Sequence, residues 1–449
     1  MYDLAVIGGG PAGYVAAAKA GAAGMSVVLF EKEEVGGVCL NEGCIPTKTL
    51  LYSAKLLENA VGAAKYGVEV PEARADVRAL AKRKDKVVKK LVGGVKVQLR
   101  DAGVTVVKEA AAVKSYAPGR IVIESASGAV EAARLLICTG SETVIPPIPG
   151  IEGNPAALSS RELLEINEIP DSLVVIGGGV IGMEFASLFN SLGSRVTVIE
   201  MLPKILGPMD DEISAMLQAQ YAKKGVVFHL GCKVLKADGN AVSFQTPEGE
   251  VQSVEGAKIL VSVGRRARLE GLEALPLELN QRPRGIKVNA AMATSLEGVW
   301  AAGDVTGFSM LAHTASREAE VAVDNMLGIP SEMRYDAIPS VVYTNPEVAG
   351  VGLTEQEASA RGTEVLIKKL PMAYSGRFTA ENDRGEGLCK ILLTPDGSRI
   401  LGVHRLGNPS SEILPAACLA IENGLGAEAF RQTVFPHPGV AEILKETLK

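Results

Sequence analysis

Two cysteines separated by four residues are the part of the sequence best suited to chemistry. Cys39 and Cys44 lie in the segment Gly-Gly-Val-Cys-Leu-Asn-Glu-Gly-Cys-Ile-Pro-Thr-Lys, residues 36–48. A bridge between them would close so short a loop that it would stabilise the chain by only about 2 kcal/mol. Pro46 indicates a helix that begins near Cys44, and a helix N-terminus stabilises a thiolate. The spacing therefore favours redox chemistry over a structural crosslink.

Two other interpretations of the pair stay open at this point. Zinc binding would need about four ligands, and no further cysteine or histidine lies near residues 36–48. The two thiols could also be packed without reacting, as free cysteines often are. We predict no metal site.

Thiol–disulfide exchange needs a group that takes and returns a proton near neutral pH, which suits histidine. The chain has four histidines, at positions 229, 313, 404 and 437. Glu442 follows His437 by five residues, where its carboxylate could orient the imidazole. His437 is therefore the candidate base. His229 and His404 lie in strand-like stretches and are expected to be structural.

A glycine-rich pattern occurs twice. Leu-Ala-Val-Ile-Gly-Gly-Gly begins at Leu4 and Leu-Val-Val-Ile-Gly-Gly-Gly begins at Leu173, an offset of 169 residues, and the same offset relates Glu31 to Glu200. Each copy has a strand, a Gly-x-Gly-x-x-Gly turn, a helix and a second strand that ends in an acid. This is the pattern of a dinucleotide-binding βαβ unit.

Each position of the repeated pattern has a predicted role. The first glycine allows a tight turn, the second lets the backbone approach a pyrophosphate, and the third lets the helix pack against the strand. The acid would accept hydrogen bonds from a ribose hydroxyl. Because a carboxylate repels the 2′-phosphate of NADP, the second site should prefer NAD. The residues are Gly8, Gly10, Gly13 and Glu31 in one copy and Gly177, Gly179, Gly182 and Glu200 in the other.

Two further carboxylates lie in apolar surroundings. Asp304 follows the apolar stretch 298–301 at a glycine turn, which suits either a polyol ligand or the N-cap of a helix. Glu184 lies two residues after Gly182 on an apolar helix, where a buried carboxylate would need a cationic partner. The alternative for Glu184 is a solvated position on the exposed side of that helix.

The composition of the 449 residues argues against several classes of protein. The net charge is −6 without a basic block, which disfavours binding to a nucleic-acid backbone, and aromatic residues make up only 4%. We predict no signal peptide, transit peptide or membrane span. Six cysteines are too few for a disulfide scaffold, so a reducing cytoplasm is the expected location.

Taken together, these motifs resemble the flavoprotein disulfide reductases, the class I pyridine nucleotide-disulfide oxidoreductases, and most closely their dihydrolipoamide dehydrogenase branch. The resemblance covers nearly the whole chain. It implies an α/β fold with two Rossmann-like dinucleotide-binding domains and an α+β C-terminal dimerisation domain. Besides the cysteine segment and the two fingerprints, the matching motifs are Cys138-Thr-Gly-Ser141, Val263-Gly-Arg265, Ala302-Gly-Asp304, Tyr343-Thr-Asn-Pro-Glu347 and His437-Pro438.

The resemblance also implies residue roles. Cys44 would contact the flavin of FAD, and Cys39 would exchange with the substrate sulfur. Lys48 would lie near the flavin with Glu184 as its partner, and His437 would act from the partner subunit of a homodimer. The implied FAD contacts are Gly8, Gly10, Gly13, Glu31, Lys48, Ala111, Thr139, Gly140, Ser141, Asp304 and His313. The implied NAD contacts are Gly177, Gly179, Gly182, Glu200, Val234 and Gly264.

The implied reaction is the oxidation of protein-bound dihydrolipoamide to lipoamide through a Cys39–Cys44 disulfide and FAD, with reduction of NAD⁺ to NADH. The implied partners are lipoyl domains of 2-oxo acid dehydrogenase complexes or the glycine cleavage H protein. The alternative is an NAD(P)H-dependent reductase of another disulfide. Glutathione or trypanothione reductases would have a basic residue in place of Glu200, and mercuric reductases would have C-terminal cysteines.

Three further kinds of flavin-binding protein remain as alternatives, and each would need only some of these motifs. A soluble transhydrogenase or an NADH oxidase would not need both cysteines. A non-catalytic flavin-binding module would not need the intact redox set. The sequence also departs from the family pattern near His437, where Phe435, Gly439 and Ala441 replace His, Thr and Ser. Cys138 replaces the usual alanine, and residues 108–112 lack the glycine expected near the adenine.

The chain is predicted to divide into four segments. Residues 1–143 form the FAD-binding domain, 144–265 the NAD-binding domain, 266–335 a return segment that completes the FAD side, and 336–449 the C-terminal dimerisation domain. A long charged amphipathic helix is expected over 75–102 and a C-terminal helix over 411–423.

Overall fold

The computed structural model describes residues 1–165, 167–281, 284–383 and 385–449. In chain order the strands are β1 (Tyr2–Ile7), β2 (Val27–Phe30), β3 (Thr105–Val107), β4 (Ala111–Ala117), β5 (Arg120–Ser125), β6 (Gly128–Ile137), β7 (Ser141–Thr143), β8 (Ala157–Leu158), β9 (Ser172–Ile176), β10 (Arg195–Glu200), β11 (Val227–Leu230), β12 (Lys233–Asp238), β13 (Ala241–Gln245), β14 (Val251–Glu255), β15 (Lys258–Val261), β16 (Arg265–Ala267), β17 (Leu279–Gln281), β18 (Arg284–Ile286), β19 (Val299–Ala301), β20 (Ser340–Val342), β21 (Val348–Gly352), β22 (Leu366–Pro371), β23 (Leu388–Leu393) and β24 (Ile400–Leu406).

The α-helices are α1 (Pro11–Ala22), α2 (Gly37–Asn41), α3 (Cys44–Val61), α4 (Val77–Asp101), α5 (Ser160–Leu163), α6 (Val180–Ser191), α7 (Asp211–Lys223), α8 (Ala312–Met326), α9 (Glu355–Arg361), α10 (Gly376–Glu381), α11 (Ser410–Glu422), α12 (Ala427–Gln432) and α13 (Glu442–Leu448). Short 3₁₀ helices occur at Ala63–Tyr66, Asp304–Thr306 and Met372–Tyr374. Within the described ranges, no helix combines the length and the apolar character that crossing a membrane requires.

The described chain separates into two compact units. The first contains Met1–Thr49, Ala81–Val144 and Gly264–Arg334, and the second contains Leu50–Leu80, Ile145–Val263 and Tyr335–Lys449. One copy of the glycine-rich repeat belongs to each unit.

The first unit is built on a sheet in the order β3-β2-β1-β6-β5-β4, with β19 beside β6. Strands β1, β2, β3, β6 and β19 run parallel, and β4 and β5 are antiparallel to their neighbours. Residues Leu4, Ala5, Val6 and Ile7 of β1 are all buried. A continuous apolar run of this kind is typical of a parallel strand that is covered on both faces. Helix α1 begins at Pro11, where proline lacks only an N–H that has no intrahelical partner.

The second unit contains a parallel sheet in the order β11-β10-β9-β15-β8 and an antiparallel sheet in the order β20-β21-β24-β23-β22. Strands β12, β13 and β14 form a smaller antiparallel sheet. Helix α11 packs against β21 and β24, and α13 packs against β22 and β23. The predicted α/β architecture with an α+β C-terminal part is confirmed.

The internal repeat is present in three dimensions. Helix α6 (Val180–Ser191) is displaced from α1 (Pro11–Ala22) by the same 169 residues at both ends. The order β10-β9-β15 repeats the order β2-β1-β6. Gly8 and Gly177 both have a φ of 103°, a conformation that glycine adopts readily. The two copies therefore share one backbone design.

Both helices whose residue ranges were predicted from the sequence are present in the structure. The long amphipathic helix predicted over 75–102 is α4 (Val77–Asp101), and the C-terminal helix predicted over 411–423 is α11 (Ser410–Glu422). Helix α3 begins at Cys44 itself, so Pro46 is its third residue. Cys44 is therefore at the helix N-terminus, as expected.

Replacing Gly182 by alanine should destabilise the second repeat. A Cβ atom at Gly182 would lie 2.0 Å from the carbonyl oxygen of Gly177, so helix or turn must shift. We expect the free energy of unfolding to fall by about 2 kcal/mol, measured by urea denaturation. Gly94→Ala is the matched control, because its Cβ would meet no atom within 4 Å in helix α4. That variant should be as stable as the wild type or slightly more so, and equal stability of the two variants would contradict this packing argument.

Candidate active site

Cys39 and Cys44, in the first unit, lie on two consecutive helices that are separated by only two residues. Cys39 lies in α2 (Gly37–Asn41), and Cys44 is the first residue of α3. Both are present as thiols and both are partly buried. The side chains are hydrogen-bonded to each other. The two thiols are therefore neighbours in the structure.

The cysteine segment is docked directly onto the first glycine fingerprint. The Gly36 N–H donates to the carbonyl oxygen of Gly9 over 2.8 Å. A Cβ atom at Gly37 would lie 2.6 Å from the Cα of Gly10, so only glycine permits this approach. The Asn41 amide donates to the Gly37 carbonyl over 2.9 Å and closes the turn of α2. The thiol pair is thus fixed next to the predicted FAD turn.

Charges around the thiols affect their ionisation. The hydrogen bond with Cys44 and burial raise the pKa of the Cys39 thiol well above its usual range. The positive charge of Lys48 opposes this rise, and the negative charge of Asp304 adds to it. Cys39 therefore keeps its proton at neutral pH unless a base removes it.

Glu31 closes the first fingerprint turn through its carboxylate. Its Oε2 accepts the Gly9 N–H over 2.7 Å, and its Oε1 accepts the Glu33 N–H over 2.8 Å. Glu200 makes the equivalent pair of bonds in the second copy, with the Gly178 N–H at 2.6 Å and the Leu202 N–H at 2.7 Å. Hydrogen bonds donated to a charged acceptor are stronger than those between neutral groups. Each carboxylate therefore holds its own turn in addition to the predicted ribose contact.

The helix that follows each turn fits a pyrophosphate. Helices α1 and α6 begin after Gly10 and Gly179, and in the described structure neither has a side-chain hydrogen bond at its N-cap. The positions that Cβ atoms would take at these glycines have no neighbour closer than 3.9 Å. Free N–H groups and the positive end of the helix dipole bind anions. The residues present therefore fit a dinucleotide at both fingerprints.

Asp304 is held by a chain of polar contacts rather than acting as an N-cap. The Ser141 hydroxyl donates to its Oδ2 over 2.5 Å, and the Arg265 Nε donates to that hydroxyl oxygen over 2.8 Å. Gly303 is the N-cap residue of the following 3₁₀ helix. Burial raises the pKa of Asp304, while Ser141 and Arg265 oppose the rise. The sequence did not indicate Arg265 as the residue that orients this pair.

The remaining predicted FAD contacts of the first unit lie on three elements. The Thr139 hydroxyl donates to the Arg268 carbonyl over 2.6 Å, and the Arg268 N–H donates to the Gly140 carbonyl over 2.9 Å. Ala111 is the first residue of β4 and is half-buried, and His313 is exposed at the start of α8.

A cavity of about 430 Å³ lies beside Glu31, with Lys96, Leu99, Arg100 and Lys108 in its walls.

Glu184 in the second unit is buried, at 3% exposure, so the solvated alternative is wrong. Its Oε1 accepts the backbone N–H of Tyr343 over 3.1 Å.

Two predicted NAD contacts, Val234 and Gly264, lie in different units. Val234 in β12 packs against the apolar cluster around Phe244. Gly264 has a φ of 120° and belongs to the first unit, as does Lys48. The pairing predicted between Lys48 and Glu184 stays a prediction.

His437 and Glu442 are in contact, as their spacing in the sequence predicts. The imidazole Nδ1 lies 3.1 and 3.2 Å from the two carboxylate oxygens, and the Gly439 N–H donates to Oε2 over 2.9 Å. These two contacts, the backbone N–H first, lower the pKa of Glu442. The imidazole is 80% exposed, which leaves Nε2 open for a reacting group.

Two of the three sequence departures near His437, Phe435 and Gly439, have local explanations. The ring of Phe435 lies 5.8 Å from that of Phe430, so an aromatic contact replaces a second histidine. A Cβ atom at Gly439 would lie 2.7 Å from the Pro436 carbonyl, which excludes the usual threonine in this conformation. The other histidines, His229 and His404, lie in β11 and β24, consistent with structural roles.

Replacing Lys48 by methionine should lower the reactivity of Cys39. Because the thiolate is the reactive form and Lys48 lowers the pKa of Cys39, its loss moves the pH–rate profile for alkylation to higher pH. At fixed neutral pH we expect about tenfold slower reaction of the reduced enzyme with iodoacetamide. Lys114→Met, at an exposed cation paired with Glu124, should leave the rate unchanged. An unshifted profile for Lys48→Met would contradict this electrostatic role.

Comparison with known proteins identifies the family. Residues 2–319 match the pyridine nucleotide-disulphide oxidoreductase model, and residues 338–448 match the dimerisation domain of the same family. A dihydrolipoyl dehydrogenase of Thermus scotoductus is 40% identical over 453 residues, covering 99% of this chain and 96% of the relative. Dihydrolipoyl dehydrogenase 3 of Pseudomonas putida is 37% identical over 457 residues, covering 99% and 97%.

Solved structures agree in fold. LpdA from Mycobacterium tuberculosis has a TM-score of 0.90 at 25% identity, covering 99% of this chain and 98% of that chain. The HOCl-induced flavoprotein disulfide reductase RclA from Escherichia coli has a TM-score of 0.87 at 28% identity, covering 100% and 99%.

The family match implies FAD and NAD(H) as cofactors, and the dimerisation domain supports a homodimer. The predicted segment boundaries and the individual residue roles stay predictions. The two fingerprints, the thiol pair and the full-length matches lead to one conclusion: the chain belongs to the pyridine nucleotide-disulphide oxidoreductases and is a flavin-dependent disulfide oxidoreductase.

Proposed function

We propose that the enzyme oxidises dihydrolipoamide carried on a lipoyl protein and reduces NAD⁺. The overall reaction converts a dithiol and NAD⁺ into a cyclic disulfide, NADH and one proton. The observation that carries the proposal is the contact between the thiols of Cys39 and Cys44 on a segment docked against the first fingerprint. The relatives named dihydrolipoyl dehydrogenase support this choice of substrate.

The exchange begins with the enzyme in its disulfide form. A substrate thiol attacks the Cys39 sulfur, the Cys39–Cys44 bond breaks, and Cys44 leaves as a thiolate. The second substrate thiol then attacks the substrate sulfur joined to Cys39, which closes the lipoyl ring and releases Cys39. His437 takes the proton from the first attacking thiol, releases it to solvent, and then takes the proton from the second attacking thiol. Glu442 stabilises the charged imidazole over 3.1 Å. Of the two protons removed from the dithiol, one is used in forming NADH and the other is the proton released overall. Bound FAD and NAD⁺ supply the two-electron chemistry that restores the disulfide.

The residues around the cofactor sites then have defined tasks. Glu31 and the N-terminus of α1 would hold FAD, and Glu200 and the N-terminus of α6 would hold NAD⁺. The Glu200 carboxylate also supports the preference for NAD⁺ over NADP⁺, because it repels a 2′-phosphate. Lys48 would lie near the flavin with Glu184 as its partner, following the resemblance. His437 would reach the thiols from the other subunit of the homodimer.

The lipoyl partners and the cytoplasmic location are part of the same proposal. Lipoyl domains of 2-oxo acid dehydrogenase complexes and the glycine cleavage H protein carry the required dithiol. The cytoplasm is supported by the small number of cysteines for a chain of this length.

Steady-state assays test the substrate. NAD⁺ reduction should proceed with dihydrolipoamide and be negligible with glutathione at the same concentration. Cys39→Ser and Cys44→Ser should each lower the dihydrolipoamide rate by more than about a thousandfold. Cys418→Ser is the control, because this thiol lies in α11 and its burial raises its pKa to about 11. Turnover of glutathione in preference to dihydrolipoamide would refute the substrate, and near-normal turnover by either active-site variant would refute the thiol relay.

Replacing His437 by glutamine tests the base. We expect kcat/KM for dihydrolipoamide to fall by about 10²–10³-fold, because no group remains to accept the thiol proton. Reduction of the oxidised enzyme by NADH, followed by stopped-flow absorbance, should change by less than about twofold, since that half-reaction needs no substrate thiol. His229→Gln in β11 serves as the matched control. Equal losses in both half-reactions would show that His437 is not the base for the dithiol step.

A further inference from the structure

A buried ion cluster joins the antiparallel sheet of the second unit to the loop that follows Glu200. Lys390 in β23 is 1% exposed, and its Nζ lies 2.9 Å from Oδ2 of Asp210, which is equally buried. The same ammonium contacts the carboxylates of Glu212, at 3.2 Å, and Glu355. A lysine at this depth needs such partners to remain charged.

The charges of this cluster are mutually dependent. Burial opposes ionisation of Asp210, yet the hydrogen bond from Lys390 holds its pKa below the usual value. Burial likewise opposes the charge of Lys390, but hydrogen bonds to Glu355 and Asp210 hold its pKa above the usual value. Both groups are therefore charged at neutral pH. Lys369, 39% exposed, is the second cation and lies 2.7 Å from Glu212.

Asp210 anchors one end of the loop formed by residues 201–210. Its Oδ1 caps helix α7 by accepting the N–H groups of Glu212 and Ile213. The preceding carbonyl, that of Met209, accepts hydrogen bonds from Lys204 and from Gln356 of α9. The C-terminal end of the loop is thus tied to the elements that carry Glu355 and Lys390.

The middle of the same loop lies on the second fingerprint. The Leu206 N–H donates to the Gly178 carbonyl over 2.8 Å. A methyl group of Ile205 would lie 3.2 Å from a Cβ atom built at Gly178. Leu206 is fully buried and has a φ of 60°, a left-handed conformation that is strained for leucine. Strain of this kind persists only where the surroundings enforce it.

We propose that Lys390 is a positioning residue for nicotinamide nucleotide binding: through Asp210 it holds loop 201–210 in its strained conformation against the second fingerprint. The inference rests on the proposed function, because it takes Gly177–Gly182 and Glu200 as the NAD site. Lys390 itself touches none of these residues. Its effect on the nucleotide is transmitted by the loop.

The consequence follows from the charge balance. Without Lys390, three carboxylates share the half-exposed Lys369, and Asp210 is left buried beside like charges. Asp210 then moves toward solvent, the strain at Leu206 is released, and the contact between Leu206 and Gly178 is lost. The orientation of Glu200 and the turn that it closes should loosen with it.

The test uses the FAD-loaded homodimer and NAD⁺ itself. For Lys390→Met we expect the Kd of NAD⁺ on the oxidised enzyme, measured by calorimetry, to rise about tenfold. The KM for dihydrolipoamide and the FAD content should stay within about twofold of the wild type. Hydrogen exchange at the Leu206 amide should accelerate in parallel. Lys369→Met removes a cation from the same cluster without touching Asp210, and it should leave the Kd within about twofold.

A second variant tests the proposal even if Lys390→Met fails to fold. Asp210→Asn keeps an oxygen that can cap α7 but removes the charge that Lys390 holds, and it should also weaken NAD⁺ binding and expose the Leu206 amide. The proposal is overturned if Asp210→Asn and any folded Lys390→Met bind NAD⁺ like the wild type. It is also overturned if Lys369→Met has the same effect, or if dihydrolipoamide KM and FAD content change equally. Absence of NAD⁺ binding by the wild type would instead overturn the proposed function.

Discussion

The thiol pair depends on the close approach of two glycine backbones. Gly36 and Gly37 lie against Gly9 and Gly10, with a hydrogen bond of 2.8 Å and no room for a Cβ atom at Gly37. This contact fixes the short helix α2, and with it Cys39, relative to the turn that is predicted to face FAD. Because Cys44 begins the next helix after only two intervening residues, both sulfurs follow from the same constraint. The junction between the cysteine segment and the first fingerprint is thus formed by backbone rather than by side chains.

The two repeats hold their glycine turns with the same carboxylate contacts but lead into different segments. In each, the carboxylate at the end of the second strand accepts the N–H of the residue between the first two fingerprint glycines, Gly9 or Gly178, and a second N–H two residues after itself. The segments that follow are different. After Glu31 the chain forms the cysteine helices, whereas after Glu200 it forms the loop that ends at Asp210 and its buried partner Lys390. The repeated unit is thus followed by a thiol pair in one copy and by the Asp210–Lys390 ion pair in the other.

The sequence could predict the features that depend on residues close together in the chain. The constant offset of 169 residues revealed both βαβ units, because period and turn chemistry act over short distances. Contacts between distant segments were not predictable in this way. Ser141 and Asp304, which share a hydrogen bond, are 163 residues apart, and Asp210 and Lys390 are 180 apart. Glu184 could be read as buried or solvated until the strand leading to Tyr343 was placed beside it.

The central claim is that Cys39 and Cys44 alternate between a disulfide and two thiols during turnover. Quantitative alkylation in denaturant, with peptide mapping, tests it directly on enzyme that has been quenched before and after anaerobic reduction by NADH. The oxidised enzyme should label four of its six cysteines, and reduction should add Cys39 and Cys44 and no others. Labelling of these two residues before reduction, or a gain at any other cysteine, would contradict the account.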